Sequence, residues 1–386
     1  MASARSLLPP KALRDKPSGL VLRLNLNSRT TIRQNISSAV QRAWLNRGAL
    51  ACLLWPVSLL FGLLVKARCL MYRAGFLKSV RVGVPVLVVG NVVAGGAGKT
   101  PLVMALVRHF QGQGMAVGVL SRGYGRAGKK CQEIFPGTPA LESGDEAALI
   151  KRATDVPVFV ASKRIQAAQA LLDAYPATQL LICDDGLQHY ALARDIEMAV
   201  FDDRGTGNGW LLPAGPLREP WPQRLHNGIS LVLHTGRKPA FDGYIASRKL
   251  ADHAVAADGR KVTLQSLQAQ QSLVALAAIA HPEAFFTMLK ERGLSLAETI
   301  ALPDHDDFAD YALPVKNGST LLCTEKDAVK LFGSPEMAAV NLLAVPLEFA
   351  PEPAFLEALD ALLAPLLSAS RLSASLLSQL PSAHGH

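Results

Sequence analysis

At 386 residues, 49% apolar and 18% charged, the chain is long enough for two domains with ordinary cores and too apolar for disorder. A formal net charge of +9 calls for an anionic partner, whether phosphate, acidic lipid or nucleic acid, and charge does not choose among them. The five cysteines (Cys52, Cys69, Cys131, Cys183, Cys323) are scattered, with no CxxC and no histidine cluster, so neither a zinc site nor a disulfide framework is indicated and a reducing compartment fits best.

Residues 1–45 read as a basic extension rich in Ser, Asn and Arg, without a sustained apolar period. Residues 46–82 read as a membrane-associated helical segment. Its centre, ALACLLWPVSLLFGLLV at 49–65, is uncharged. As a helix it would reach roughly 26 Å, slightly short of a ~30 Å hydrocarbon core. Pro56 would kink it. Arg42 and Arg47 precede it, and Lys66, Arg68, Arg73, Lys78 and Arg81 follow. Such symmetry sets no orientation but suits a helix in or on an anionic leaflet. A buried core helix is the competing reading.

From residue 83 the pattern changes to short apolar runs separated by helical periods. Strands are expected at 84–89, 116–120, 156–160, 179–183 and 196–201, and helices at 99–111, 145–153 and 163–174. That alternation predicts βαβ units and a parallel sheet, hence an α/β, P-loop NTPase-like core over 83–222. The Pro-rich LPAGPLREPWP at 212–222 reads as a hinge. A second, smaller α/β domain is expected over 223–366, with elements at 230–234, 272–278, 282–292, 320–323, 342–345 and 353–363. Residues 367–386, rich in Ser and Leu, read as a flexible tail.

The strongest motif is GNVVAGGAGKT at 90–100, between an apolar strand and a helical pattern. Gly95, Gly96, Ala97 and Gly98 would turn backbone N–H groups around phosphate oxygens, and the following helix N-terminus adds its positive dipole end. Lys99 would reach the β- and γ-phosphates and Thr100 would offer its hydroxyl to Mg²⁺. Val93 stands where the usual pattern has its first glycine. In LLICDDGLQH at 180–189, a strand ends in Asp184 and Asp185, which read as the magnesium pole of an ATP site or as a plain DDG turn. SRGYGR at 121–126 reads as a basic loop able to approach phosphate, or as a solvated turn. GDE at 144–146, GPLRE at 215–219, DHD at 304–306 and TEKD at 324–327 carry acid–base residue types, though caps and turns use the same residues.

Taken in order, GNVVAGGAGKTP, SRGYGR, GDE, DDGLQHYALARD, GNGWLLPAGPLRE, PDH and TEKD resemble the lipid A 4'-kinase (tetraacyldisaccharide 4'-kinase) family from about residue 43 to about residue 366. The resemblance implies transfer of the ATP γ-phosphate to the 4'-hydroxyl of a tetraacyldisaccharide 1-phosphate, at the cytoplasmic face of the inner membrane, giving lipid IVA. It implies Asp145 as general base assisted by His305, and Asp184, Asp185 and Glu219 around Mg²⁺ with Thr100. Lys99 then lies on the phosphates. We expect Arg122 and Arg126 at the phosphate or substrate headgroup. Ala147 after Glu146 and Asp306 after His305 depart from the family's usual GDEP and paired histidines. Val93 does not, because the family it resembles also lacks that first glycine.

A deviant P-loop switch ATPase is the rival, but its signature lysine would fall at Ala94. A nucleic-acid module would need aromatics interleaved with basic residues, and aromatics make up only 6%.

Overall fold

The computed structural model describes residues 40, 42–222, 230–308, 319–337 and 340–379. The part of the basic extension before residue 40, and residues 223–229, lie outside the described residues.

The elements run in chain order as α1 (Ala49–Arg73), β1 (Val86–Gly90), α2 (Lys99–Gly112), β2 (Val117–Ser121), β3 (Gln132–Ile134), α3 (Ala140–Ser143), α4 (Asp145–Thr154), β4 (Val158–Val160) and α5 (Arg164–Ala174). Then come β5 (Leu180–Asp184), β6 (Ile196–Phe201), β7 (Leu231–His234), β8 (Tyr244–Leu250), β9 (His253–Ala256), β10 (Lys261–Thr263), α6 (Leu264–Leu267), β11 (Leu273–Ala277) and α7 (Pro282–Glu291). β12 (Leu296–Ala301), β13 (Thr320–Thr324), α8 (Glu325–Leu331), β14 (Asn341–Val345), β15 (Leu347–Pro351) and α9 (Pro353–Gln379) follow among the described residues.

Nine strands form one sheet in the order β15-β8-β7-β6-β1-β5-β2-β4-β3. Its interior is parallel, and only the edge pairs β15–β8 and β3–β4 are antiparallel. β1, β2, β5 and β6 are buried at every position, as strands covered by helices on both faces must be. β1 lies between β5 and β6, with Val88 opposite both Cys183 and Glu197. The loops leaving the carboxyl ends of β1 and β5 therefore start side by side, where open α/β sheets bind ligands.

The second sheet has six strands, ordered β10-β9-β14-β13-β11-β12. It corrects the expected boundary at residue 222. β7, β8 and β15 lie beyond that residue yet join the large sheet. Phe355, Leu359 and Leu363 of α9 share a core with Leu106 and Phe110 of α2. The chain thus leaves the first layer after β8 and returns at β15, and the smaller sheet is an insertion between them. The expected flexible tail also differs. α9 continues through Pro365 to Gln379, and Ser370 donates to the Gly83 carbonyl at 3.0 Å. Residues 380–386 lie outside the described residues.

α1 is not a core helix. Its buried residues are Ala51, Ser58, Gly62 and Cys69, a stripe of small side chains that lets the backbone approach closely. Ser58 Oγ donates to the Leu211 carbonyl and accepts from Ala214 N–H, each at 2.9 Å. Leu53 (76% exposed), Leu60, Leu63, Leu64, Leu70 and Phe76 (82%) face outward. Its most apolar 18-residue window has a mean hydropathy of 2.0, and the helix is long and apolar enough to cross a membrane by length and composition alone.

Candidate functional site

The phosphate loop is held from outside. Asn91 Nδ2 donates to the Gly95 carbonyl (2.8 Å), Arg204 Nη2 to Gly96 (3.3 Å) and Thr235 Oγ1 to Ala97 (3.1 Å). A planar trans peptide points its N–H opposite its C=O, so fixing three carbonyls fixes the N–H groups of Gly96, Ala97 and Gly98 on the other side. That side is where an anion is held in a loop of this kind. Gly98, with φ of 81°, is the N-cap of α2. Val93 is not a defect. It bridges to Leu217, and Arg218 N–H donates to the Val92 carbonyl at 2.7 Å, so the loop's first limb is a short extended pair. That pairing delivers Arg218 and Glu219 to the site.

Arg204 grips Asp202 with three bonds of 2.7–3.0 Å while reaching Gly96. Sequence reading missed it because GTGNG signals a turn and nothing about what the preceding arginine holds. Arg204→Met should raise the KM for ATP about tenfold, the worth of one charge-assisted hydrogen bond of about 1.5 kcal/mol, with kcat little changed. Unaltered ATP affinity in steady-state kinetics would reduce Arg204 to a surface ion pair.

Lys99 Nζ lies 3.6 Å from Asp185 Oδ1, and Arg218 Nη1 lies 3.2 Å from the same oxygen. Burial pushes the Asp185 carboxyl up, but Lys99 and Arg218 outweigh it and hold the group below its ordinary value. Asp184 behaves oppositely. It is 1% exposed, and neither carboxylate oxygen has a hydrogen-bond partner. Burial, then the charges of Glu146 and Asp185, push it up to about 8 against Lys99 and Arg164. A buried carboxylate with no donor, beside the phosphate loop, is what a divalent cation would compensate. Among the described residues no group of three or more His, Cys, Asp or Glu forms a metal cage. Mg²⁺ needs none, because one or two carboxylates with phosphate oxygens and waters suffice. Thr100 and Glu219 are both buried. The residues present fit the ion.

Asp145 opens α4 and is also buried. Its Oδ2 meets His305 Nδ1 at 3.0 Å and Lys330 Nζ at 2.7 Å. Burial raises this carboxyl, yet the bonds from His305 and Lys330 prevail and hold it low. His305 follows β12 in the smaller sheet's layer, so the contact crosses from one sheet's layer to the other over a sequence separation of 160. Lys326, one turn before Lys330 on α8, lies 3.3 Å from His305 Nε2 and 2.8 Å from Asp304 Oδ1. Lys326 entered the sequence reading only as part of TEKD, and Lys330 was not foreseen. Within TEKDAVK they have helical i, i+4 spacing, but nothing local says what they face.

The basic loop divides. Arg122 is exposed, and its charge adds to burial and Arg164 in pulling His189 down to about 4, so that imidazole is neutral at neutral pH. Arg126 folds back on its own loop, where its Cδ is 2.6 Å from the position of a Cβ on Gly123. Its Nη1 and Nη2 are buried without a hydrogen-bond partner. Tyr124, between them, packs its ring tilted by 55° against that of His305, at 4.8 Å between ring centroids. Lys99, Thr100, Asp184, Asp185 and Glu219 therefore group around the phosphate loop. Asp145 and His305 form a second group, linked to the first through Glu146, whose charge reaches Asp184.

Residues 50–364 match the family model for tetraacyldisaccharide-1-P 4'-kinase, LpxK. The chain belongs to the tetraacyldisaccharide 4'-kinase family. It is 66% identical over 345 residues to the tetraacyldisaccharide 4'-kinase of Polaromonas naphthalenivorans, covering 89% of this chain and 97% of that protein. The tetraacyldisaccharide 4'-kinase of Acidovorax ebreus is 54% identical over 335 residues, with 86% and 96% covered. Among solved structures, the "apo" form of LpxK from Aquifex aeolicus in complex with ATP superimposes with a TM-score of 0.71 at 28% identity. That match covers 82% of this chain and 99% of that one. In this kinase family member the P-loop core expected from the sequence and the N-terminal apolar helix are both present.

Proposed function

We propose that the protein transfers the γ-phosphate of ATP to the 4'-hydroxyl of a tetraacyldisaccharide 1-phosphate, giving lipid IVA, at the cytoplasmic face of the inner membrane. One observation carries the reading: a buried carboxylate without a donor, Asp184, stands beside a phosphate loop pinned from outside, with an Asp145–His305 pair nearby.

Phosphoryl transfer passes through a loose transition state whose charge spreads over oxygens, so positioning and charge neutralisation supply most of the catalysis. The amides of Gly96, Ala97 and Gly98 and the N-terminus of α2 cradle the phosphates. Lys99, released from Asp185, neutralises the oxygens of the transferred group. Thr100, Asp184, Asp185 and Glu219 would hold Mg²⁺, and the ion would supply positive charge to offset that of the phosphates. A sugar hydroxyl is a poor nucleophile, and Asp145 with His305 accepts its proton. Arg122, exposed at the rim, remains free to meet an anionic headgroup. Arg126, folded inward, is the weaker candidate for that role.

The membrane reading rests on α1. Its small-residue stripe is bonded to the core at Ser58, and Arg68 reaches the Gln188 carbonyl at 2.9 Å. A helix fastened along one face to a polar domain lies in the interface, with its outward leucines in the acyl region and its flanking arginines and lysines at anionic headgroups. An acylated substrate would then present its sugar to the site without leaving the bilayer.

The test is a phosphotransfer assay with purified protein in detergent or phospholipid, using labelled ATP, Mg²⁺ and the tetraacyldisaccharide 1-phosphate. Label should appear on the lipid and be lost in Lys99→Ala. ATP hydrolysis without labelled lipid would instead favour a switch ATPase.

A further inference from the structure

We propose that Lys330 is a positioning residue for the phosphoryl transfer, fixing Asp145 and His305 in register between the two sheets' layers. The inference rests on the reading of those two residues as the proton-accepting pair.

An ammonium has three donors, and here all three are committed. One goes to Asp145 Oδ2 at 2.7 Å, one to the Asp306 carbonyl at 2.7 Å and one to the His305 carbonyl at 3.2 Å. A single side chain thus ties the carboxylate to two consecutive backbone carbonyls, those of His305 and Asp306. His305 needs such a tie. Its φ of 66° is a left-handed conformation, costly for a residue with a side chain unless its surroundings over-determine it. Lys330 and His305 both meet Oδ2, so neither occupies Oδ1.

The charged groups facing this pair are few. Asp145 faces Lys330 of α8 and the His305 imidazole, and Glu146 follows it in the chain. His305 faces Asp145 of α4, Lys326 of α8, Asp304 of its own loop and the ring of Tyr124. Among the described residues, Lys330 is therefore the lysine or arginine in direct contact with Asp145. Burial alone would leave that carboxyl holding its proton to higher pH, and a protonated Asp145 could neither accept a proton nor orient the imidazole N–H.

The experiment compares Lys330→Met, Lys330→Gln and Lys330→Arg in the full chain, in detergent, with Asp145→Asn and His305→Ala alongside. Lys330→Met and Lys330→Gln should lower kcat roughly 10- to 100-fold, the scale of a misplaced acid–base group, with the KM for ATP near wild type. Both should move the acid limb of the kcat/KM profile to higher pH. Lys330→Arg, which keeps the charge, should leave the limb near its wild-type position while recovering part of kcat. A wild-type limb and kcat in Lys330→Gln, with only a lower Tm, would make Lys330 a structural strut and overturn the proposal. Wild-type turnover in Asp145→Asn and His305→Ala would instead overturn the acid–base reading beneath it.

Discussion

Asp184→Asn should lower phosphotransfer by roughly 10³-fold, because metal-borne charge stabilisation is worth several kcal/mol at the transition state. The same substitution should make the magnesium-free protein more stable, and increasingly so as pH rises. The sign follows from linkage. Asp184 has a folded-state pKa of about 8, above its ordinary value of 3.8, because burial and the charges of Glu146 and Asp185 oppose ionisation. Between those values the folded chain keeps a proton that the unfolded chain has released. The stability this group contributes is complete below its ordinary value and is lost as pH rises through about 8. Asparagine cannot ionise, so the advantage of Asp184→Asn over wild type should grow by at most about 1.4 kcal/mol per pH unit and level off above that range. Mg²⁺ with ATP should reverse the order, since the wild type binds what the variant binds poorly. Thermal unfolding from pH 5 to pH 9, with chelator and then with Mg²⁺ and ATP, reads both effects. Parallel stability curves in chelator would mean that Asp184 is already ionised and partnered.

Much of this site was legible in the chain because its two halves follow strands. A fully apolar run ending in a glycine loop, and another ending in two aspartates, predict two strands of a parallel sheet, and the fold sets β1 and β5 side by side with their carboxyl ends together. The pairing of Asp145 with His305 was not legible from spacing. No periodicity connects residues 160 apart, and only the resemblance proposed the contact. Lys330 and Arg204 carried no signal at all, because a lysine on a short helix and an arginine in a glycine-rich turn are ordinary surface residues until the fold places them. The domain boundary misled for a related reason. β15 and α9 return to the first sheet after a complete second one, and sequence order says nothing about a return. β8 and β15 were hidden further by half-exposed, charge-bearing patterns, YIASRKL and LEFAP, that suit an edge pair but carry little hydrophobic signal.

The basic loop at 121–126 carries a second role beside its two arginines, and it yields the second large effect. Its tightest contacts are through glycine backbone, and they bear on Asp145. Gly144 precedes that residue with φ of 78° and ψ of 145°, a conformation essentially reserved for glycine. A Cβ there would lie 2.6 Å from the Tyr124 carbonyl oxygen and 2.7 Å from the Gly123 carbonyl carbon. From the other side, a Cβ on Gly123 would lie 2.9 Å from the Ser143 carbonyl oxygen. These are backbone atoms on both sides, so no rotamer change relieves the clash. Gly144→Ala must therefore push the first residue of α4 away from the basic loop, and that residue is Asp145. Turnover should fall by about 10²-fold, the cost of a displacement near 1 Å, and stability by about 1–3 kcal/mol for the strained backbone. Gly137→Ala separates the two effects. That glycine also has positive φ, at 86°, but nothing lies within 4 Å of its Cβ position and it sits in the turn before α3. It should lose stability while keeping turnover. Equal turnover in the two variants, measured per folded molecule, would show that the close glycine contact stabilises the chain without setting the position of Asp145. A selective loss in Gly144→Ala would make SRGYGR a backbone wedge that aims the acid–base pair.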